Sequence, residues 1–221
     1  MNKKIQNIID KKNKKKIICL TAYSKNIAEV LDNHVDIILV GDSLGSVLYN
    51  YKTTQKVTLQ MMIEHSKSVK QGVRKSLLVV DMPHNTYKNK RDAYKNAKKI
   101  MVSVKPDAIK LEGGKKVVNI ISYLTRKKIP VMGHLGILPQ SHKGKFKYKG
   151  QTDKEIKNLI NDAYLLEKSG AFSIVLECIE TSLAKIITKN LKIPTIGIGS
   201  SSNCDGQVLV TDDLIAVSYT H

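Results

Sequence analysis

The sequence predicts a parallel (β/α)₈ barrel: short β-rich runs alternate with longer segments of helical period, there are eight such runs, and several end on an acidic residue. The β-rich runs fall at 17–22, 36–41, 76–81, 108–112, 130–134, 173–177, 194–199 and 206–210. Between them, amphipathic helices are expected at 26–33, 59–73, 90–104, 115–127, 153–169 and 181–191, where apolar residues recur at three- and four-residue spacing. The longest irregular segments, 43–58 and 135–152, follow strands and so belong to the face where barrel enzymes place their active sites. An open dinucleotide-binding sheet lacks its G-x-G-x-x-G turn here, since GDSLG after the second run has the wrong spacing. GIGSS at 197–201 either cradles an anion through backbone N–H groups or lets a strand end pack closely.

A chain of 221 residues with 42% hydrophobic content can bury one substantial core, so a single domain over 1–221 is expected. Charged residues interrupt every apolar stretch before it could span a bilayer. The opening MNKKIQNIIDKKNKKKIICL does not read as a signal peptide, and the cytoplasm is the expected compartment. Three scattered cysteines form neither a disulfide framework nor a CxxC site; Cys19 and Cys178 read as small buried hydrophobes. The net charge of +18 is almost entirely lysine, with Arg only at 74, 91 and 126, which favours a solvated surface over a nucleic-acid-binding face. The basic run 11–16 reads as a solvated helix end or turn.

Side chains alternate along a strand, which groups Ile38 and Val40 with Asp42, Val79 with Asp81, Lys110 with Glu112, Met132 with His134, and Val175 with Glu177. If those faces point inward, the polar ends converge at the C-terminal mouth of the barrel. One acidic strand end is commonplace, because Asp begins turns and caps helices. Four of them, Asp42, Asp81, Glu112 and Glu177, call for a compensating cation. Oxygen ligands without neighbouring His or Cys favour Mg²⁺, with Asp42, Asp81 and Glu112 as the metal site. Lys110 either neutralises a carboxylate or holds one belonging to a substrate. His134, between glycines in VMGHLG, reads equally as a core hydrogen-bonding residue and as a catalytic one.

These residues resemble the 3-methyl-2-oxobutanoate (ketopantoate) hydroxymethyltransferase family. The resemblance rests on LTAY at 20–23, ILVGDSLG at 38–45, VTLQMMIEHSKSV at 57–69, LLVVDMP at 77–83, IKLEGG at 109–114, IPVMGHLGILPQS at 129–141, DAYLLEKSGAFSIVLECI at 162–179 and IPTIGIGSSSNCDGQVLV at 193–210. It implies a barrel of the phosphoenolpyruvate/pyruvate type and Mg²⁺-dependent hydroxymethyl transfer from 5,10-methylenetetrahydrofolate to 3-methyl-2-oxobutanoate, in pantothenate biosynthesis. Asp42, Asp81 and Glu112 would hold the metal, Asp42, Ser43, Asp81 and Lys110 would contact the keto acid, and Glu177 would be the general base. His134, Gly197 and Gly199 would shape the pocket. A homo-oligomer, decameric in the family, is implied as well.

Ser24, GIGSS, Gly150-Gln151, Asp212-Asp213 and a shortened loop after PQS depart from the family pattern and bear on loop closure and folate binding. The family continues past the eighth strand through further helices, whereas this sequence ends at AVSYTH, which implies truncated C-terminal helices and apolar surface left exposed near the closing strand. The competing readings are a phosphoenolpyruvate mutase or isocitrate lyase-like enzyme, the lyase disfavoured by the lack of a KKCGH-type segment, and a catalytically decayed basic binding protein.

Overall fold

The computed structural model describes residues 2–141 and 147–216. Eight parallel strands close in sequence order: β1 Ile17–Thr21, β2 Ile37–Val40, β3 Leu77–Asp81, β4 Ala108–Glu112, β5 Val131–Gly136, β6 Ser173–Glu177, β7 Thr195–Ile198 and β8 Gly206–Leu209. The helices are α1 Lys3–Asp10, α2 Lys25–Leu31, α3 Leu44–Tyr49, α4 Leu59–Gly72, α5 Lys90–Val104, α6 Val118–Arg126, α7 Asp153–Lys168, α8 Thr181–Asn190 and α9 Thr211–Leu214. Strand β8 pairs with β1 from Ile17↔Gly206 to Leu20↔Leu209, so the sheet has no free edge.

Helix starts follow local chemistry. Thr58 accepts a hydrogen bond from Met61 N–H, Asn89 from Asp92 N–H and Thr152 from Glu155 N–H, each satisfying a donor that the first helical turn leaves unpaired. Between α2 and β3, the buried Asp32 carboxylate accepts from the backbone N–H groups of Arg74, Lys75 and Ser76 at 2.9–3.0 Å. That contact ties the end of the first βα unit to the start of β3, two strands on.

Two apolar layers result. Ile38, Val40, Leu78, Val80, Ile109, Leu111, Ile174 and Leu176 face the helices, while Ile37, Leu39, Leu77, Val79, Ala108, Met132 and Val175 fill the barrel. At the N-terminal end the interior is plugged by Ile5 and Ile8 of α1, a helix not anticipated from the sequence. Burying each of these side chains contributes about 2 kcal/mol. Asn2 caps this helix by accepting from Lys4 N–H.

The basic run after α1 is a turn, as expected, with residues 13–16 exposed, but its lysines also make specific contacts. Lys12 Nζ lies 2.7 Å from Asp205 Oδ2, with both side chains buried, and donates to the Thr188 carbonyl. Lys16 Nζ donates to the carbonyls of Ser202 and Cys204. The run therefore seals the joint where β8 meets β1.

Segment 43–58, read as irregular, contains α3 and a 3₁₀ turn at Thr54–Lys56. Cys19 is buried in β1 as expected, but Cys178 is only half-buried, just past β6 with φ of 49°. On the outer side of the closing strands, Ile18 is 50% and Leu209 45% exposed. Residues 142–146 of the loop after PQS and the final 217–221 lie outside the described residues. Among the described residues no helix is long and apolar enough to cross a membrane.

Candidate active site

A cavity of about 230 Å³ opens at the C-terminal mouth of the barrel. One side is polar, made by Asp42, Asp81, Lys110, Glu112, His134 and Glu177; the other is apolar, made by Leu39, Val175, Ile198, Val208 and Val210. Strand alternation delivers Asp81, Lys110, Glu112, His134 and Glu177 as expected, because Val79, Ala108, Met132 and Val175 below them point into the barrel.

For β2 the alternation was misassigned: Ile38 and Val40 face the helices, and the inward residues are Ile37 and Leu39. Asp42 reaches the cavity because the chain leaves the strand at Gly41 and turns, with Leu44 N–H bonding the Gly41 carbonyl and Gly45 N–H the Asp42 carbonyl. A Cβ at Gly41 would lie 2.8 Å from Ser43 Oγ, so a larger residue there would displace the Ser43 hydroxyl. Ser43 lines the same cavity and shares a 2.7 Å hydrogen bond with Tyr23 OH.

The glycines behave differently. A Cβ on Gly197 would meet the side chains of Gln207 and Cys204, so it faces away from the cavity; Ile198 is the residue β7 contributes. Gly199 borders a separate groove on the outside of β1 and β8, together with Ser200 and Ser201 of the GIGSS stretch.

The polar wall is tightly coupled. Lys110 Nζ donates to Asp81 Oδ1 at 2.7 Å, and Asp42 N–H donates to Asp81 Oδ2 at 3.2 Å. Burial, with repulsion from Asp81 and Glu112, pushes the Asp42 carboxyl up to about 8 against the pull of Lys110 and Gln140. Burial likewise raises Asp81, outweighing Lys110 beside it. Burial also acts to raise Glu112, but His134, Lys110 and the Gln140 N–H together hold it below the ordinary carboxylate range.

His134 stands between two acids, its Nδ1 3.5 Å from Glu112 Oε1 and its Nε2 3.1 Å from Glu177 Oε2, though neither contact has hydrogen-bond alignment. Burial and Lys110 disfavour its protonation, yet the two carboxylates outweigh them and raise it to about 9. The structure places the His134 ring on the cavity wall, between Glu112 and Glu177. Among the described residues no three His, Cys, Asp or Glu side chains are set, as they stand, to hold a metal ion.

Sequence reasoning assigned no role to Gln140, although PQS was among the quoted motifs. Its side-chain N–H donates to Asp42 Oδ2 at 2.8 Å and to the Met82 carbonyl at 2.9 Å, and its backbone N–H to Glu112 Oε2 at 3.1 Å. Tyr87 OH donates to Gln140 Oε1 at 2.6 Å. Neither Gln140 nor Tyr87 ends a strand, so the strand-end pattern could not single them out.

Residues 2–221 match the family model described as ketopantoate hydroxymethyltransferase. The chain belongs to the ketopantoate hydroxymethyltransferase family. It is 67% identical over 218 residues to the 3-methyl-2-oxobutanoate hydroxymethyltransferase of Pelagibacter ubique (strain HTCC1062), covering 99% of this chain and 84% of that protein. It is 48% identical over 217 residues to the enzyme of the same name from Anaplasma marginale (strain St. Maries), covering 96% and 78%.

Solved structures of similar fold include a phosphonopyruvate hydrolase in complex with oxalate and Mg²⁺ (TM-score 0.72, 11% identity, 96% of this chain and 82% of that one). They also include 2,3-dimethylmalate lyase, a PEP mutase/isocitrate lyase superfamily member (TM-score 0.69, 13% identity, 96% and 84%). At such identities these neighbours establish the barrel type, while the hydroxymethyltransferase relatives carry the assignment. The ketopantoate hydroxymethyltransferase family thus accounts for the barrel, and its name for the kind of chemistry the cavity must support.

Proposed function

We propose that this chain transfers a hydroxymethyl group from 5,10-methylenetetrahydrofolate to 3-methyl-2-oxobutanoate, giving 2-dehydropantoate, with Mg²⁺ held by Asp42, Asp81 and Glu112. The observation that carries this reading is the gathering of those three carboxylates and Glu177 around one small cavity with an apolar wall. With Asp42, Asp81, Glu112 and Glu177 all ionised, the acids would outnumber Lys110 and a charged His134, and the proton retained on Asp42 up to about 8 is the mark of that excess. Hard oxygen donors and uncompensated charge fit a divalent cation of the Mg²⁺ type. When bound, the ion supplies a Lewis acid that makes the proton beside a ketone more acidic.

The chain's own residues do the remaining work. Lys110 and Ser43 orient the keto acid through its carboxylate, and the wall of Val175, Ile198 and Val208 takes its branched carbon end. Glu177 removes the proton from the branched carbon next to the ketone. That carbon forms the new C–C bond to the methylene carbon of the folate, water supplies the hydroxyl oxygen, and tetrahydrofolate leaves. His134, in its charged form, holds Glu177 toward the cavity. Three free cysteines suit a reducing cytoplasm, and a homo-oligomer belongs to the same reading, to be checked by sedimentation.

Purified protein supplied with Mg²⁺, 3-methyl-2-oxobutanoate and 5,10-methylenetetrahydrofolate should form 2-dehydropantoate, and a chelator should stop it. Folded protein that forms none would overturn the proposal.

A further inference from the structure

Gln140 is 3% exposed and touches the ends of three successive strands. Its amide bonds Asp42 beyond β2 and the Met82 carbonyl beyond β3, while its backbone N–H bonds Glu112 at the end of β4. The orientation of the amide is not free. A carbonyl can only accept, so Nε2 must face Met82; the same nitrogen then donates to Asp42 Oδ2, and Oε1 is left to accept from Tyr87 OH. The Gln140 carbonyl also accepts from Gln55 Nε2 at 3.0 Å, which fastens the 3₁₀ turn between α3 and α4 to this residue. Pro139 immediately before it lines the cavity and limits the backbone there.

We propose that Gln140 is a positioning residue for the carboxylate centre, holding one oxygen of Asp42 and one of Glu112 so that the two acids face a cation together. The inference rests on the Mg²⁺ reading above. Physically, a buried amide in one enforced orientation spares Asp42 the search among rotamers that a bound ion would otherwise have to arrest. The backbone N–H does the same for Glu112, and because both bonds come from one residue, the loop after β5 carries the two acids as a unit. Tyr87 holds the orientation of the amide rather than the acids themselves.

The test is calorimetric titration of Mg²⁺ into the full chain without substrate, alongside thermal unfolding and steady-state kinetics over a range of Mg²⁺. Gln140→Met keeps the length and the buried volume but removes the side-chain bonds. It should bind Mg²⁺ at least ~10-fold more weakly, with a lowered unliganded unfolding midpoint, because Met82, Tyr87 and Asp42 lose a buried partner. Its kcat should recover as Mg²⁺ is raised, which a merely structural defect would not allow. Tyr87→Phe, which loses only the hydroxyl that orients the amide, should weaken Mg²⁺ binding by about threefold. Folded Gln140→Met with Mg²⁺ affinity within twofold of the parent overturns the role of Gln140 and leaves the metal reading standing. A parent chain that binds no Mg²⁺ overturns the metal reading, and this inference with it. If Gln140→Met does not fold, Tyr87→Phe decides, and unchanged affinity there overturns the proposal.

Discussion

His134 Nε2 lies 3.1 Å from Glu177 Oε2 while Nδ1 faces Glu112, so a single imidazole stands between acids on the two strands that flank its own. The folded protein holds the imidazole proton up to about 9, against 6.5 for the free side chain. A raised pKa of this kind contributes stability that is complete below 6.5 and disappears as pH rises through 9. Denaturant unfolding of metal-free protein should show the advantage of the parent over His134→Gln shrinking across that window. A constant difference from pH 6 to pH 10 would contradict the bridge.

Glu177→Gln should lower kcat by roughly 10²–10⁴-fold with little change in KM, since the amide keeps the shape but cannot take a proton. Proton NMR in D₂O provides the direct check. Loss of the substrate signal at the branched carbon, as deuterium replaces hydrogen without folate, should be fast in the parent and absent in the variant.

Metal binding should release a proton. In the metal-free protein Asp42 retains its proton up to about 8, whereas the unfolded chain gives it up near 3.8, so this group disfavours the fold increasingly as pH rises between those values. Mg²⁺ must displace that proton at pH 7 and has none to displace well above 8. Calorimetry in buffers of different ionisation enthalpy should therefore show proton release at pH 7 that vanishes by pH 9.5 and is missing in Asp42→Asn.

Asp32→Ala should cost about 3 kcal/mol at pH 7, because three backbone N–H groups lose a charged acceptor. Burial works to raise the Asp32 carboxyl, but the N–H groups of Ser76, Lys75 and Arg74 outweigh it and hold it below its ordinary value. Stability from a depressed acid is present above the unfolded value of 3.8 and is lost as pH falls through the folded one. The gap between parent and variant in urea unfolding should close on strong acidification.

Lys12 and Asp205 form a buried pair at the N-terminal end of the barrel, opposite the cavity. Lys12→Met alone should destabilise by about 1–3 kcal/mol, since the Asp205 carboxylate loses its counter-charge but keeps its bonds from Asn13 and Thr195, and the double change with Asp205→Asn should cost less than the sum. Unfolding midpoints of the four proteins in this cycle give the coupling. Additive effects would mean the two charges do not act as a pair.

Much of this architecture was legible because the signals are local. Strand boundaries agreed to within a residue or two, since short continuous apolar runs such as IILV and LLVV, bounded by polar residues or glycine, show along a few positions. Helix α1 was missed because its apolar face, Ile5 and Ile8, is short and lies in a lysine-rich stretch; its purpose is visible only once the barrel floor needs a plug. Asp42 was placed in the cavity for an incorrect reason: counting by twos along β2 cannot detect that the strand ends before Gly41.

By itself the sequence determined the order of βα units, the acids at the strand ends and the family, because these depend on side-chain identity and spacing along the chain. Tertiary structure alone decided that Gly197 and Gly199 lie outside the cavity, that His134 bridges Glu112 and Glu177, and that Gln140 binds Asp42. Those relationships join residues as far as 98 positions apart. Only closure of the barrel brings them within hydrogen-bond range, and no pattern along a single element encodes which partner each will meet.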